Sequence, residues 1–193
     1  MISIGIDPGL HGAVVVVDDN YKLVGYYDCP VIKNVTTKKG KKSTKFEFAP
    51  ASMADLLRGI VGEYHCRVKA WLERAGAMPK QGLSSTFKTG RGFGLWEGIL
   101  AGVGVVYDII GPRVWSKVMF EGTPMGEPKQ RSLTKCQRLY PDLPLTRPRG
   151  HVLSLDGRSD AALIATYGML QMRDGAAPEE PRSKRSPVRI KKK

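Results

Sequence analysis

Three apolar, β-branched runs follow one another at the head of the chain, over residues 2–7, 12–19 and 22–29, broken only by Pro8-Gly9 and by Asp18-Asp19-Asn20. Val, Ile and Tyr between such breakers predict three consecutive antiparallel strands. The uninterrupted Val14 to Val17 points to a strand buried on both faces. After residue 50 the apolar period changes. Pro50 to Glu63 carries Met53, Leu56, Leu57 and Ile60 at helical spacing, and 67–74 returns as a strand. Ser84-Ser85-Thr86 offers an N-cap for a helix reaching about residue 101, and 103–110 is a further strand. Helices at 112–119 and 129–139, a Pro-rich connection over 141–150 and a last helix from about 157 to 172 complete the order. The expected class is α/β: a mixed five-stranded sheet, three antiparallel strands then two parallel, flanked by helices.

A chain of 193 residues has room for one domain with a self-sufficient core, expected over 1–172. Cys29, Cys66 and Cys136 are odd in number and far apart, which argues against a zinc site or a disulfide framework and for a reducing interior. The N-terminus has no basic segment followed by an apolar one, and no apolar run approaches the ~20 residues of a spanning helix. A soluble, cytoplasmic protein with no membrane partner is expected.

Charge narrows the class of partner. The net charge is +13, from 31 basic and 18 acidic residues. Much of it sits in two segments. Residues 33–45, expected as a basic loop, hold Lys33, Lys38, Lys39, Lys41, Lys42 and Lys45 and no acid, and 173–193 holds eight basic against three acidic residues. The tail composition cannot bury enough apolar surface to order itself. Two basic arms on a nearly neutral body are the electrostatic footprint of a polyanion binder, although a solvated loop and a solubilising tail have the same composition.

Four carboxylates occupy special places in this pattern. Asp7 closes the first apolar run, Glu73 closes Val68 to Leu72, and Asp156 and Asp160 flank the start of the apolar segment Ala161 to Leu170. Carboxylates delivered from strand ends and a first helical turn make a hard-oxygen cage suited to Mg²⁺ or Mn²⁺. Each also has a plainer role: turn former for Asp7, ion-pair partner for Glu73, helix cap for Asp156.

With these elements in order, three segments carry a resemblance. GIDPGLHGA at 5–13, WLERAGAMPKQGLSSTFKTGRGFGLWEG at 71–98 and DGRSDAALIATYG at 156–168 resemble the RuvC family of Holliday-junction resolvases, nearest its bacteriophage branch, over roughly residues 1–172. The resemblance implies a ribonuclease H-like fold and a homodimeric endonuclease. Each subunit of such a dimer cuts one of two opposed strands of a four-way DNA junction, leaving 5′-phosphate and 3′-hydroxyl ends. It implies two Mg²⁺ per site, with Mn²⁺ able to substitute, held by Asp7, Glu73 and Asp160, and no nucleotide cofactor. The family's fourth acid lies three residues before the last. That position is Gly157 here, and the available acid, Asp156, lies four before, on the same helix face.

Around the acids, Phe87 corresponds to a family aromatic that stacks on bases opened at the junction, and a core Phe is the alternative. Lys80, Lys88 and Arg91 flank the same turn and are expected to meet phosphates, as are Lys38, Lys39, Lys41 and Lys42. Lys117 and Lys129 fall where the family keeps catalytic-side lysines. His11 is structural or phosphate-facing. Gly90, Gly94, Gly98 and Gly102 recur every fourth residue, so another backbone approaches them: either the protein's own sheet or a second subunit, with Leu95 and Trp96 as neighbouring dimer contacts. Two other functions fit the same residues. One is a nuclease for many branched or flapped DNAs, and the other is a junction binder without catalysis.

Overall fold

The computed structural model describes residues 1–38, 41–64, 67–77, 81–145 and 156–174. In chain order the elements are β1 (Ile2–Ile6), β2 (Ala13–Asp18), β3 (Leu23–Asp28), β4 (Val31–Lys38), β5 (Lys41–Phe48) and α1 (Pro50–Glu63). They continue with β6 (Val68–Glu73), α2 (Leu83–Val103), β7 (Tyr107–Ile110), α3 (Pro112–Met119), α4 (Pro128–Leu139) and α5 (Asp156–Asp174). The main sheet has the order β3-β2-β1-β6-β7. β1 to β3 pair antiparallel, and β1-β6 and β6-β7 pair parallel, as expected.

The basic stretch is the main departure. Residues 33–38 and 41–45 are not a loop: β4 and β5 pair antiparallel from Val31 opposite Phe48 to Lys38 opposite Lys41. Val31, Ile32, Val35, Thr36, Thr37 and Thr44 favour the pleated backbone, and Lys33, Lys42 and Lys45 ride on it exposed. Helix α2 also differs. It starts at Leu83 after Gly82, with no side-chain cap, and runs on to Val103, where Gly104 takes a left-handed conformation (φ 78°). The strand expected from 103 therefore begins only at Tyr107. The last helix extends to Asp174, and Arg173 belongs to the fold, donating to the Asp19 carbonyl at 3.2 Å. Residues 175–193 lie outside the described ones. No helix among the described residues is long and apolar enough to cross a membrane. Cys29 and Cys136 are free and buried.

The sheet is covered on both faces, which is why Val14 to Val17 are all buried. Alternate residues divide between two cores. Ile2, Ile4, Ile6, Val14 and Val16 pack with Met53, Leu57, Trp96 and Leu100 of α1 and α2. Ala13, Val15, Val17 and Trp71 pack with α3, α4 and the long apolar run of α5. On that second face β1 presents only small residues, Ser3 and Gly5, and α5 settles against it. Ser3 Oγ donates to the Ala165 carbonyl at 2.7 Å. A Cβ on Gly5 would lie 2.1 Å from the Ala161 carbonyl oxygen, and one on Gly168 would lie 2.1 Å from the Trp71 ring.

Close approach therefore occurs at Gly5, at Gly168 and, on α2, at the buried Gly92, and not along the stripe of Gly90, Gly94, Gly98 and Gly102. Those four are exposed, and a Cβ on any of them meets no atom of the described residues within 4 Å. The protein's own sheet does not fill that stripe. Trp96, expected as a dimer contact, is instead fully buried against the sheet. Gly5→Ala should consequently cost about 1 to 3 kcal/mol or more through overpacking. Gly59→Ala, on the exposed side of α1, should raise helix stability by up to about 1 kcal/mol. Thermal melts of the two variants check this; equal shifts would mean that α5 is not seated on β1 as described.

Candidate active site

Ile6 and Leu72 lie beside one another in the parallel β1-β6 pair, so the following residues, Asp7 and Glu73, leave the sheet side by side. The crevice beyond the carboxyl ends of parallel strands is where open α/β sheets bind ligands. Asp7 is fixed by the loop behind it. Its amide donates to the Ala13 carbonyl (3.0 Å), and the Gly9 amide donates to its Oδ1 (2.9 Å). A Cβ on Gly12 would lie 2.1 Å from the Asp7 carbonyl oxygen, so only glycine allows the chain to double back this tightly.

Glu73 accepts a hydrogen bond from Nε1 of the buried Trp115 on α3 at 2.9 Å. Burial, then Asp7, pushes its carboxyl from 4.5 to about 7; Trp115 opposes the shift and Asp160 adds to it. Among the described residues, the charged groups acting on Glu73 are thus both carboxylates. Asp160 lies on α5, whose seat on β1 brings it to the strand ends. The buried hydroxyl of Ser132 on α4 donates to Asp160 Oδ1 and stands 3.1 Å from Ser159 Oγ. Arg158 pins this end of α5 through Asp28 (2.6 and 2.9 Å) and the Pro144 carbonyl (2.9 Å).

Trp115 and Ser132 are the site residues that patterning did not find. They reach their carboxylates across 42 and 28 residues of sequence. The only local signal is a polar atom on the inward face of a short amphipathic helix.

Asp156 opens α5 one turn before Asp160, and its side chain lies outside the described residues. Gly157 occupies the position where a fourth acid was expected. A Cβ there would lie 2.5 Å from the His11 carbonyl oxygen and 2.6 Å from Gly12 Cα. The motif loop that carries Asp7 is wedged against α5 at this point, which excludes any side chain.

Among the described residues no three His, Cys, Asp or Glu side chains converge into a ready-made metal cluster. The donor chemistry nevertheless fits a hard divalent cation. Asp7 and Asp160 both act on Glu73, which is held near neutrality by burial first and then by these carboxylates, whose charge a cation would offset. These three would hold it.

Phe87 is not a core residue: it is 72% exposed, and Lys88 and Arg91 are exposed beside it. Lys42 is exposed on β5. Lys80, Lys39 and the side chains of Lys38 and Lys41 lie outside the described residues. Lys117 lines an open cleft of about 510 Å³ with Arg113, Phe120, Thr123 and Arg131, and Lys129 is exposed on α4. His11 is exposed, its ring edge-on to Phe46 at 6.2 Å.

No family model matches the sequence, and no curated protein sequence matches it either. Solved structures do match. The chain is similar to Thermus thermophilus RuvC in complex with Holliday junction substrate, at 13% identity and a TM-score of 0.52, over 91% of this chain and 97% of that one. A second Thermus thermophilus RuvC structure matches at 15% identity, with the same TM-score and coverage. The fold of this chain, a mixed sheet with α5 laid across its central strand, is the fold of RuvC.

Proposed function

We propose that this chain is a divalent-metal-dependent endonuclease that resolves four-way DNA junctions by paired, symmetric nicks, leaving 5′-phosphate and 3′-hydroxyl ends. The observation that carries the reading is Glu73, a largely buried carboxyl driven to about 7 by burial and by Asp7 and Asp160, on the fold of a junction nuclease. A carboxyl held near neutrality by burial and by two neighbouring carboxylates is one whose charged form a bound cation would stabilise.

In this reading Asp7, Glu73 and Asp160 hold two Mg²⁺, or Mn²⁺, with Asp156 as the fourth acid. Bound there, the cations supply an activated water and neutralise the departing 3′ oxygen. The chain itself supplies orientation. Trp115 and Ser132 hold Glu73 and Asp160 by hydrogen bonds, so the carboxylates are aimed before any ligand arrives. Phe87, Lys88 and Arg91 meet the DNA beside this edge, and Lys80 and the lysines of 33–45 contribute to phosphate binding. The bacteriophage branch, and with it a bacterial host cytoplasm, belongs to the same proposal.

The active form is a homodimer. The exposed glycine stripe of α2, which no described residue covers, supports a close backbone contact with the second subunit. Gly94→Leu should then leave a folded monomer. Light scattering checks this: an unchanged oligomeric state would remove α2 from the interface.

The test of function uses a labelled four-way junction, a flapped duplex and a linear duplex, each with Mg²⁺ or with EDTA. Metal-dependent cutting of the junction above the other two supports the reading. Equal cutting of junction and flap favours a broad branched-DNA nuclease, and binding without cutting favours a junction-binding protein.

A further inference from the structure

We infer that Arg158 is a positioning residue whose ion pair with Asp28 sets where Asp160 stands relative to Asp7, and so how tightly the carboxylates hold a divalent cation. This rests on the metal-site reading above and adds to it a pair of residues outside the cage.

Arg158 and Asp160 are two apart on α5, so their side chains leave the helix on nearly opposite sides. Asp160 is turned to Ser132 and the strand ends, and Arg158 to the outer edge of the sheet. There the guanidinium donates to both oxygens of Asp28, the last residue of β3, at 2.6 and 2.9 Å, and to the Pro144 carbonyl at 2.9 Å. It also lies 5.0 Å from the centre of the Tyr26 ring. These anchors, on two separate stretches of chain, fix its direction.

Asp28 in turn belongs to the strand pairing that carries Asp7. It lies opposite Ala13 in the β2-β3 pair, and the Ala13 carbonyl accepts from the Asp7 amide at 3.0 Å. The next amide, of Cys29, donates to the Gly12 carbonyl at 2.9 Å, and Gly157 presses on Gly12 from the α5 side. A path thus runs from Asp7 through Ala13, Asp28 and Arg158 to Asp160. All of it is main chain except the Asp28–Arg158 ion pair. The body of α5 is seated on β1 from Ala161 onward, whereas Asp160 lies in the turn before, where Gly157 has no side chain and Arg158 supplies the hold on β3.

The chemistry favours positioning over stabilisation. An ion pair as exposed as this one, with Asp28 at 42%, contributes little to folding. A bidentate guanidinium-carboxylate pair nevertheless fixes direction as well as distance. Outer partners of metal ligands govern about 10- to 100-fold in metal affinity, and this fork is placed at the end of α5 that carries the ligand.

The test measures Mn²⁺ binding directly, by electron paramagnetic resonance, for the parent, Asp28→Asn, Arg158→Lys, Arg158→Met and the double variant Asp28→Asn/Arg158→Met. Metal-free melting temperatures and junction cleavage over a Mg²⁺ series are recorded beside it. Each single variant should bind Mn²⁺ about tenfold more weakly, need more Mg²⁺ for cleavage, and melt close to the parent. Arg158→Lys keeps the charge but not the fork, so it should follow Arg158→Met. The double variant should bind no more weakly than Arg158→Met, because one interaction cannot be lost twice. Variants that bind Mn²⁺ like the parent, whether or not they melt lower, would overturn the inference and leave the nuclease reading standing. Weakened Mn²⁺ binding in variants of a parent that cuts no junction would support the positioning role and overturn the nuclease reading. A parent that binds no Mn²⁺ would overturn both.

Discussion

Glu73→Gln will raise the stability of the metal-free protein at pH 8 while abolishing cleavage. The Glu73 carboxyl stands at about 7 in the folded chain, above its ordinary 4.5. The folded state therefore holds its proton more tightly than the unfolded chain does. Its contribution to stability is fully present below pH 4.5 and is lost as pH rises through about 7. Across that window the loss is on the order of 3 kcal/mol. Gln has nearly the same shape, keeps an acceptor for Trp115 Nε1, and carries no charge against Asp7 and Asp160. The variant's melting temperature should be nearly flat from pH 5 to pH 8 (about the span of the shift), where that of the parent falls.

Mg²⁺ should restore the parent's lost stability, and do so more at pH 8 than at about pH 6, because a bound cation must displace the Glu73 proton. It should do little for the variant. Since removing an outer partner of a metal ligand alone costs 10- to 100-fold, removing this ligand should cost at least about a hundredfold in cleavage. A variant that melts lower than the parent at pH 8, or cuts at a comparable rate, would take Glu73 out of the metal site.

Gly157→Asp places an acid where the RuvC family keeps one, and it will damage the protein. The new Cβ would meet the His11 carbonyl oxygen and Gly12 Cα, both backbone atoms of a loop already folded tightly on Asp7. Overpacking of this kind costs about 1 to 3 kcal/mol, more where backbone must shift. The shift also displaces the Asp7 carboxylate, held now by the Gly9 amide, so cleavage should fall at least about tenfold, since ligand misplacement acts like loss of an outer-shell contact. Asp156→Asn separates the two roles. It leaves the wedge untouched and should lower cleavage with little change in melting temperature. If Gly157→Asp melts like the parent and cuts as fast or faster, the wedge is not rigid and the fourth acid belongs at 157.

The sheet was legible because its strands are unmixed. Val14 to Val17, Ile2 to Ile6 and Val68 to Leu72 have one period each and end on turn formers or carboxylates, and the parallel β1-β6 pairing then brings Asp7 and Glu73 together. The β4-β5 hairpin is hidden by its own lysines: a run of like charge implies a solvated loop and masks the strand preference of Thr36, Thr37 and Thr44. The start of α2 was misplaced because Ser84, Ser85 and Thr86 look like caps while the chain uses Gly82. The burial of Trp96 and the exposure of Phe87 were not readable, since α2 carries apolar residues and glycine around much of its circumference. Trp115 and Ser132 lay beyond local patterning altogether; only α3 and α4 folding back against the sheet and α5 bring them to Glu73 and Asp160.

The most direct measurement maps the cuts on a four-way junction in which each strand is labelled in turn, comparing the parent with Asp7→Asn in Mg²⁺. The account predicts two nicks at symmetry-related positions in opposed strands, products that a ligase seals without further treatment, and no cutting by Asp7→Asn although it still binds the junction. Nicks confined to one strand, ends that cannot be sealed, or cutting by Asp7→Asn at the parent's rate would contradict it.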